Sequence, residues 1–184
     1  TIPRQPILAD VRDATRIDQI FAQYRPALVF HAAALKHVTM VELNPLEALQ
    51  TNALGARHVA DAATRYGALA MVLISTDKAI RPTSVMGASK RLAEAYCQAL
   101  DAVSDATRFI TIRFGNVLGS SGSVVPLFQR QLERGGPLTV TDPDMKRYFM
   151  TVREAVELVL QAAVLGVQAG AARGKIFVLD MGEP

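Results

Sequence analysis

Short, continuously apolar runs alternate along this chain with longer segments in which apolar residues recur every three or four positions. Unbroken runs are typical of strands that are buried on both faces of a sheet, and the wider spacing is typical of helices packed by one face. The runs predict strands at residues 7–9, 27–30, 70–74, 109–113, 138–140 and 176–179. The spaced segments predict helices at residues 14–24, 45–66, 84–100, 124–134 and 152–165.

Alternation of strands and helices predicts an α/β fold in which a doubly wound parallel sheet is covered on both faces. The pattern changes after residue 116, where a loop rich in glycine and serine precedes shorter elements. We therefore expect residues 1–116 to form the main part of the domain, with the reactive side chains. Residues 117–184 are expected to form a small C-terminal substrate-binding lobe that packs on the same domain.

Composition narrows the classes of function. The chain has 184 residues, of which 50% are hydrophobic, and a net charge of +3 with scattered Lys and Arg. This diffuse charge suits a small anionic ligand, and no nucleic-acid-binding motif accompanies it, so we expect no nucleic-acid partner. No run approaches the roughly 20 apolar residues of a membrane span. Cys97 is the single cysteine, which excludes an internal disulfide, and we expect a packed, unreactive thiol.

The most reactive sequence follows the predicted strand 70–74. Thr76, Asp77 and Lys78 place a hydroxyl, an acid and an amine in tandem. Ligands of open α/β sheets bind beyond the carboxyl ends of the strands, so these side chains are candidates for a reaction centre. Met86 and Lys90 follow on the next predicted helix, with the Y-x-x-x-K spacing of short-chain dehydrogenase/reductases but with Met in place of Tyr.

Several further motifs occur in a fixed order: residues 31–38 (HAAALKHV), Asn44-Pro45, Asn52 with Gly55, residues 75–90, residues 113–119 (RFGNVLG) and residues 180–184 (DMGEP). Together they resemble the CapD-like polysaccharide-biosynthesis nucleotide-sugar 4,6-dehydratases, a branch of the extended short-chain dehydrogenase/reductases. The resemblance implies a Rossmann-like fold with NAD or NADP as cofactor and a UDP-N-acetylhexosamine as substrate. Residues 1–116 would then be a partial NAD(P)-binding Rossmann domain, and residues 117–184 the lobe that binds the UDP-sugar. We expect no metal site.

This chain differs from the family at its start. The family begins with a strand and a G-x-x-G-x-x-G phosphate loop, and nothing similar precedes Ile7. We expect the chain to enter the fold at its third strand and to lack the first two βα units. Those units hold the pyrophosphate site and the residue that selects NAD or NADP.

The resemblance implies which residues of this chain would contact the cofactor. Asp10 would hydrogen-bond the adenine amino group, and Val11 would flank the ring. Ala32, Ala33 and Ala34 would let the dinucleotide cross the strand ends, and Lys90 would bind the nicotinamide ribose. The plainer alternatives are a capping or turn Asp, alanines that simply pack, and an exposed helical Lys. His31 is expected to be a hydrogen-bonded strand-end histidine.

The catalytic roles follow from the same resemblance. Thr76 would donate its hydroxyl near the sugar, Asp77 would protonate the departing 6-hydroxyl, and Lys78 would remove the proton at carbon 5. Because Met86 has no titratable proton, the base for the 4-hydroxyl is open between Lys78 and Lys90, directly or through water. The alternatives are a surface Asp–Lys turn and a degenerate, inactive site.

The substrate would contact mainly the later part of the chain. Asn116 and Arg147 are candidates for the diphosphate, since guanidinium binds phosphate in a fixed geometry, and Lys36 is a further phosphate candidate. The proposed uracil and ribose contacts are Val125, Pro126, Phe128, the backbone of Thr139 and Val140, and Glu183. Each of these residues can instead serve packing alone.

The implied activity is a UDP-N-acetylglucosamine 4,6-dehydratase of surface polysaccharide biosynthesis, which forms a UDP-4-keto-6-deoxy-N-acetylhexosamine. The alternatives are a UDP-sugar 4-epimerase and a nucleotide-sugar binding module without turnover. We expect a cytoplasmic homo-oligomer. Because full-length relatives with Met at this position often carry membrane helices, anchoring of the parent protein at the inner membrane is a hypothesis.

Overall fold

A four-stranded parallel sheet organises the computed structural model, which describes residues 4–120, 123–140, 142–168 and 170–182. The strands of this sheet lie in the order β1-β2-β3-β6. Their bounds are β1 Leu28–His31, β2 Ala70–Thr76, β3 Arg108–Phe114 and β6 Ile176–Val178, and a second, two-stranded sheet pairs β4 Asn116–Val117 with β5 Phe149–Met150. The helices are α1 Ala14–Tyr24, α2 Val38–Leu43, α3 Pro45–Ala48, α4 Gly55–Arg65, α5 Val85–Val103, α6 Val124–Glu133 and α7 Val152–Val167.

Helices cover both faces of β2 and β3, because alternate side chains of these strands are buried on opposite sides. On one face, Met71 and Leu73 pack with the buried residues of α1, α4 and α5. On the other face, Ala70 and Val72 pack with Ile110, Ile112 and α7. This arrangement confirms the predicted doubly wound α/β fold.

Capping side chains start three of the helices where the sequence predicts a start. Ser84 accepts a hydrogen bond from the backbone N–H of Gly87 at the N-terminus of α5, and Asp13 does the same for Arg16 in α1. Thr151 and Glu154 form a capping box at the start of α7. Each cap satisfies backbone N–H groups that have no partner inside the helix.

Two predicted strands are wrong. Residues 7–9 and 138–140 form no strand, since neither segment pairs with another in the described part of the chain. Leu8 is 95% exposed, and Thr139 bonds the side chain of Gln131 instead of a neighbouring backbone. A short run of apolar residues is not sufficient for a strand, because a strand also requires a neighbouring strand with which to pair.

The predicted helix 45–66 exists, but α3 and α4 are joined by a π-helical segment, Leu49–Leu54. Two elements were not predicted: the short helix α2 and the β4–β5 sheet. Strand β6 pairs with β3, and α7 packs against the same sheet, so residues from both sides of position 116 build one sheet and its cover. The division of the chain into a main part that ends at residue 116 and a lobe that begins at residue 117 stays a prediction. No helix in the described ranges is both long and apolar enough to cross a bilayer.

Candidate functional site

Thr76, Asp77 and Lys78 form one hydrogen-bonded unit where β2 ends. The Oδ1 atom of Asp77 accepts a 2.8 Å hydrogen bond from the Thr76 hydroxyl and a 2.9 Å hydrogen bond from Lys78 Nζ. The side chains of Asp77 and Lys78 are 44% and 38% exposed, so a ligand can reach both. A 3-10 turn over Asp77–Ala79 holds the tandem at the strand end. The sequence-predicted triplet is therefore one contiguous acid–amine pair with a hydroxyl beside it.

Two glycines lie next to this unit. A Cβ atom at Gly87, in the first turn of α5, would lie 2.3 Å from the backbone oxygen of Lys78. A Cβ atom at Gly115, after β3, would lie 3.4 Å from Asp77 Oδ2 and 3.0 Å from the sulfur of Met181. The approach at Gly87 is possible only because glycine lacks a side chain, whereas a Cβ at Gly115 would make an ordinary contact with Asp77 and a tighter one with the flexible side chain of Met181. Gly87 therefore sets the position of the turn against α5.

Asp77 lines a pocket of about 300 Å³ at the carboxyl ends of β2, β3 and β6. The rest of its wall is mainly apolar, with Arg113, Tyr148 and Asp180 as its polar side chains. The remaining lining residues are Ile80, Phe114, Gly115, Val178, Leu179, Met181 and Gly182. Ligand sites of α/β folds occur at this edge, so this pocket is the candidate substrate site.

Lys90 lies beneath the strand end rather than on an exposed helix face. It is 6% exposed, and its Nζ donates a 2.6 Å hydrogen bond to the backbone oxygen of Ile74 in β2. Burial lowers the pKa of Lys90 to about 8, partly offset by the negative charge of Glu94. An ammonium has three donors, and Ile74 uses one of them.

His31 closes β1 and is 4% exposed, but its Nε2 atom has no hydrogen-bond partner among the described residues. The expectation of a fully hydrogen-bonded strand-end histidine is therefore wrong for this nitrogen. Burial, together with the nearby charge of Lys90, lowers the pKa of His31 to about 4. The imidazole is neutral at physiological pH.

Met86 packs as an apolar residue. It is 4% exposed and belongs to a small buried cluster with Val41 and Ala48. Its backbone oxygen accepts a 2.8 Å hydrogen bond from the Ser89 hydroxyl. Met86 therefore contributes to packing, and its side chain has no group that can transfer a proton.

A buried polar network lies directly under the reactive strand end and was not predicted. Glu94 of α5 is fully buried and accepts a 2.5 Å hydrogen bond from the Ser75 hydroxyl. It also accepts two hydrogen bonds from Arg113 of β3, at 2.8 and 2.5 Å. Ser75 and Arg113 are partners in the β2–β3 register. The charged residue at the end of the predicted strand 109–113 was a sequence signal of this network.

Asn52, in the π-helical segment, belongs to the family motifs, and its side chain connects two parts of the site. It is 1% exposed and bonds both backbone groups of Leu35, at 2.7 and 2.9 Å, and the Ser89 hydroxyl at 3.0 Å. Asn52 therefore ties the loop after β1 to α5, which carries Lys90.

The cofactor candidates lie along the carboxyl edge of β1 and the start of α1. Ala32 and Ala33 are exposed, and Val11 packs so close to α4 that a Cβ at Gly55 would lie 2.7 Å from it. Asp10 is exposed and bound by Arg12 through both carboxylate oxygens, which lowers the pKa of Asp10 to about 2. Asp10, the predicted adenine contact, therefore also stabilises a turn by pairing with Arg12.

The substrate candidates are more dispersed. The side-chain amide of Asn116 donates to the backbone oxygen of Tyr148, 3.1 Å away, and Tyr148 lines the pocket. Arg147 precedes it and donates a hydrogen bond to the sulfur of Met145 at 2.9 Å. The described pocket wall includes none of Lys36, Val125, Pro126, Phe128, Thr139 and Val140, and Glu183 lies outside the described residues.

Comparison with known proteins identifies several relatives. The chain is 52% identical to the capsular polysaccharide biosynthesis protein CapD of Staphylococcus aureus over 97% of its own length, and 52% identical to the probable polysaccharide biosynthesis protein EpsC of Bacillus subtilis over 96%. It is 44% identical to a UDP-glucose 4-epimerase of Rickettsia bellii over 93%. The chain spans 29% of the length of CapD and EpsC and 49% of that epimerase.

Solved structures share the fold. Pen from Bacillus thuringiensis superposes with a TM-score of 0.87 at 37% identity, over 96% of this chain and 53% of Pen. WbmG from Bordetella bronchiseptica, solved with NAD and UDP, superposes with a TM-score of 0.73 at 24% identity, over 95% of this chain and 56% of WbmG. A family model described as "Polysaccharide biosynthesis protein" matches residues 1–184. The chain therefore belongs to this family of polysaccharide biosynthesis proteins.

Proposed function

We propose that this chain carries the reaction centre of an NAD(P)-dependent nucleotide-sugar dehydratase, and that its substrate is UDP-N-acetylglucosamine. The observation that carries the proposal is the Thr76–Asp77–Lys78 unit. It places an acid and an amine 2.9 Å apart at the carboxyl end of a buried strand, with the acid, Asp77, in the wall of a pocket. Elimination of water from a sugar needs both a proton donor and a proton acceptor, held close together.

The residues on the cofactor side fit a dinucleotide. Ala32 and Ala33 are exposed and small where β1 ends, so a flat ligand can lie against the backbone. Among the described residues, Lys90 uses one donor on Ile74 and has two left for a ligand. Asp10 is exposed and Val11 is half-buried, just before α1. When bound, NAD or NADP would take a hydride from the sugar and later return one to it.

The acid–amine pair accounts for loss of water. Passage of one proton along the 2.9 Å hydrogen bond converts the Asp77–Lys78 ion pair into a neutral acid and a neutral amine. Asp77 then donates its proton to the departing 6-hydroxyl, and Lys78 accepts the proton from carbon 5. After elimination the carboxylate and the ammonium are restored, so the pair returns to its starting charge state. The hydroxyl of Thr76 orients the carboxylate through its 2.8 Å hydrogen bond.

Lys90 is the best candidate for the base that receives the 4-hydroxyl proton, since Met86 cannot. Its amine is buried, and its pKa of about 8 gives a useful neutral fraction near physiological pH. A base with a pKa close to the working pH transfers protons most effectively. The rate of sugar oxidation should then rise with pH as Lys90 loses its proton.

The UDP part of the substrate is proposed to lie beside β4 and β5. Asn116 and Arg147 flank Tyr148, which belongs to the pocket wall, so both can reach a diphosphate bound at its rim. Within the described part of the chain, the hydrogen bond of the Arg147 side chain goes to a weak sulfur acceptor at 2.9 Å, which a phosphate oxygen can displace. Lys36 is exposed at the cofactor edge and can contact either phosphate group.

The test incubates the full-length protein with UDP-N-acetylglucosamine and NAD⁺ or NADP⁺, and follows the sugar nucleotide by mass spectrometry. The proposal expects a product lighter by one water, and it expects Asp77→Asn to abolish that product. The matched control is Asp105→Asn, the same change at an exposed position between α5 and β3, far along the strand from the pocket. Water loss by Asp77→Asn at the wild-type rate would refute the assignment.

A 4-epimerase is the second candidate, favoured by the 44% identity to the Rickettsia bellii UDP-glucose 4-epimerase. An epimerase returns the hydride to carbon 4 and needs no elimination pair. The same incubation separates the two activities, because epimerisation leaves the mass unchanged while altering the proton NMR couplings of the sugar. Asp77→Asn would then retain turnover.

A further inference from the structure

We propose that Glu94 is a positioning residue of this reaction centre: it holds the ends of β2 and β3 in place and sets how readily the Lys90 amine releases its proton. The second part rests on the role of Lys90 in the proposed function. Glu94 does not line the pocket, so it would act through the residues that it holds and not by touching the substrate.

The geometry of Glu94 joins the three elements that build the site. It lies on α5 one turn after Lys90, bonds Ser75 next to Thr76 on β2, and binds both Nε and an NH₂ group of Arg113 on β3. Arg113 lines the pocket together with Asp77. A carboxylate that is fully buried and accepts these bonds fixes the strand ends relative to the helix, because the carboxylate itself is shielded from water.

Glu94 is also the charged group that acts on Lys90 near neutral pH. The other titratable groups facing Lys90 in the described residues are His31 on β1 and Cys97 on α5. Burial lowers the pKa of His31 to about 4 and raises the pKa of Cys97 to about 12, so both are neutral. Arg113 and Arg91 bind Glu94 from its other sides. Glu94 therefore favours the protonated amine, against the effect of burial.

The chain supplies a matched comparison. Asp101 is also on α5, is also buried, and also pairs with an arginine of β3, Arg108, at 3.0 Å. That pair lies at the opposite end of β3 from the pocket. Glu94→Gln and Asp101→Asn therefore each neutralise a buried carboxylate and leave an arginine of the same strand without its partner. A purely structural role predicts similar consequences for both variants.

The experiment measures Lys90 directly. The full-length protein is labelled with 13Cε-lysine, the Lys90 signal is assigned by its loss in Lys90→Gln, and the signal is titrated by NMR without substrate. In Glu94→Gln the titration midpoint should fall by about one unit or more, as expected when an opposite charge close to an amine is removed. The pH at which kcat reaches half its maximum should fall by the same amount. Asp101→Asn should lower Tm and move neither midpoint.

An unchanged Lys90 midpoint in Glu94→Gln, or an equal shift in Asp101→Asn, would overturn the proposal. If Glu94→Gln does not fold, the double variant Glu94→Gln/Arg113→Met removes both partners of the buried pair, a change that proteins tolerate better than loss of one partner. It should still lower the Lys90 midpoint, but by less than Glu94→Gln does, because loss of the Arg113 charge acts in the opposite direction. Absence of turnover by the wild-type protein would refute the dehydratase, whereas the substrate-free titration would still decide the role of Glu94.

Discussion

Gly87→Ala offers the sharpest test of how the α5 helix places the reactive turn. The added Cβ would lie 2.3 Å from the backbone oxygen of Lys78 and 3.1 Å from the Cβ of Pro82, whereas ordinary contacts begin at 3.4 Å. Relief of the closer contact requires about 1.1 Å of movement between the first turn of α5 and the turn that holds Asp77 and Lys78. Because the atom it meets belongs to the backbone, no rotamer change can absorb this movement.

A displacement of about 1 Å at a reacting group lowers the rate by roughly 100-fold, which corresponds to about 2.7 kcal/mol in activation free energy. We therefore expect Gly87→Ala to reduce kcat for water loss by about that factor, with a smaller change in KM. Initial rates with UDP-N-acetylglucosamine, measured on protein shown to be folded by circular dichroism, provide the assay.

Gly166→Ala is the matched control for this helix substitution. Its Cβ would lie 2.5 Å from the side chain of Ile110, in the core between α7 and the sheet, and away from the reactive turn. It should lower Tm and leave kcat of the folded protein close to the wild-type value. A kcat for Gly87→Ala that stays within a few-fold of the wild type would refute the argument that this close approach positions Lys78.

Two further predictions concern stability. Asn52→Ala removes one buried and two partly buried hydrogen bonds and should lower the free energy of unfolding by about 3 kcal/mol. Asn44→Ala loses one exposed bond to Met40 and should change the free energy of unfolding by less than about 0.5 kcal/mol. Urea unfolding of both variants checks this, and equal effects would contradict it. The buried His31 has its pKa lowered from 6.5 to about 4, so the unfolded chain binds the extra proton first as the pH falls, and about 3 kcal/mol of stability should be lost between those two values. His31→Gln should flatten the pH dependence of urea unfolding in this range, and superimposable curves for the two proteins would count against it.

The sequence predicted the parts of the fold that depend on local patterns. Continuous apolar runs identified β1, β2, β3 and β6, and the predicted helix 84–100 closely matches α5, which begins after the Ser84 cap. The tandem Thr76, Asp77 and Lys78 was found because its three side chains are neighbours in sequence. Their hydrogen bonds to one another follow from that adjacency.

The parts that were missed depend on residues distant in sequence. Glu94 meets Ser75 and Arg113 across 19 residues in each direction, and no local pattern in α5 marks a glutamate that is buried rather than solvated. The strand that was wrongly predicted at residues 138–140 also reflects a contact that the local sequence pattern does not show. A run of suitable composition remained a loop because the side chain of Gln131, and not a strand, took its backbone N–H group.

The π-helical segment Leu49–Leu54 limits how this region can change length during evolution. A π turn accommodates one residue more than an α-helical turn, and each α-helical residue advances the side chains by about 100°. Deletion of one residue here would restore a regular helix without rotating the flanking helices, but it would remove the bulge in which Asn52 lies. The carboxamide of Asn52 and the loop that it holds would then lose their common orientation. Relatives that keep the hydrogen bonds between this asparagine and the loop after β1 should therefore show substitutions in the segment, but no single-residue gaps.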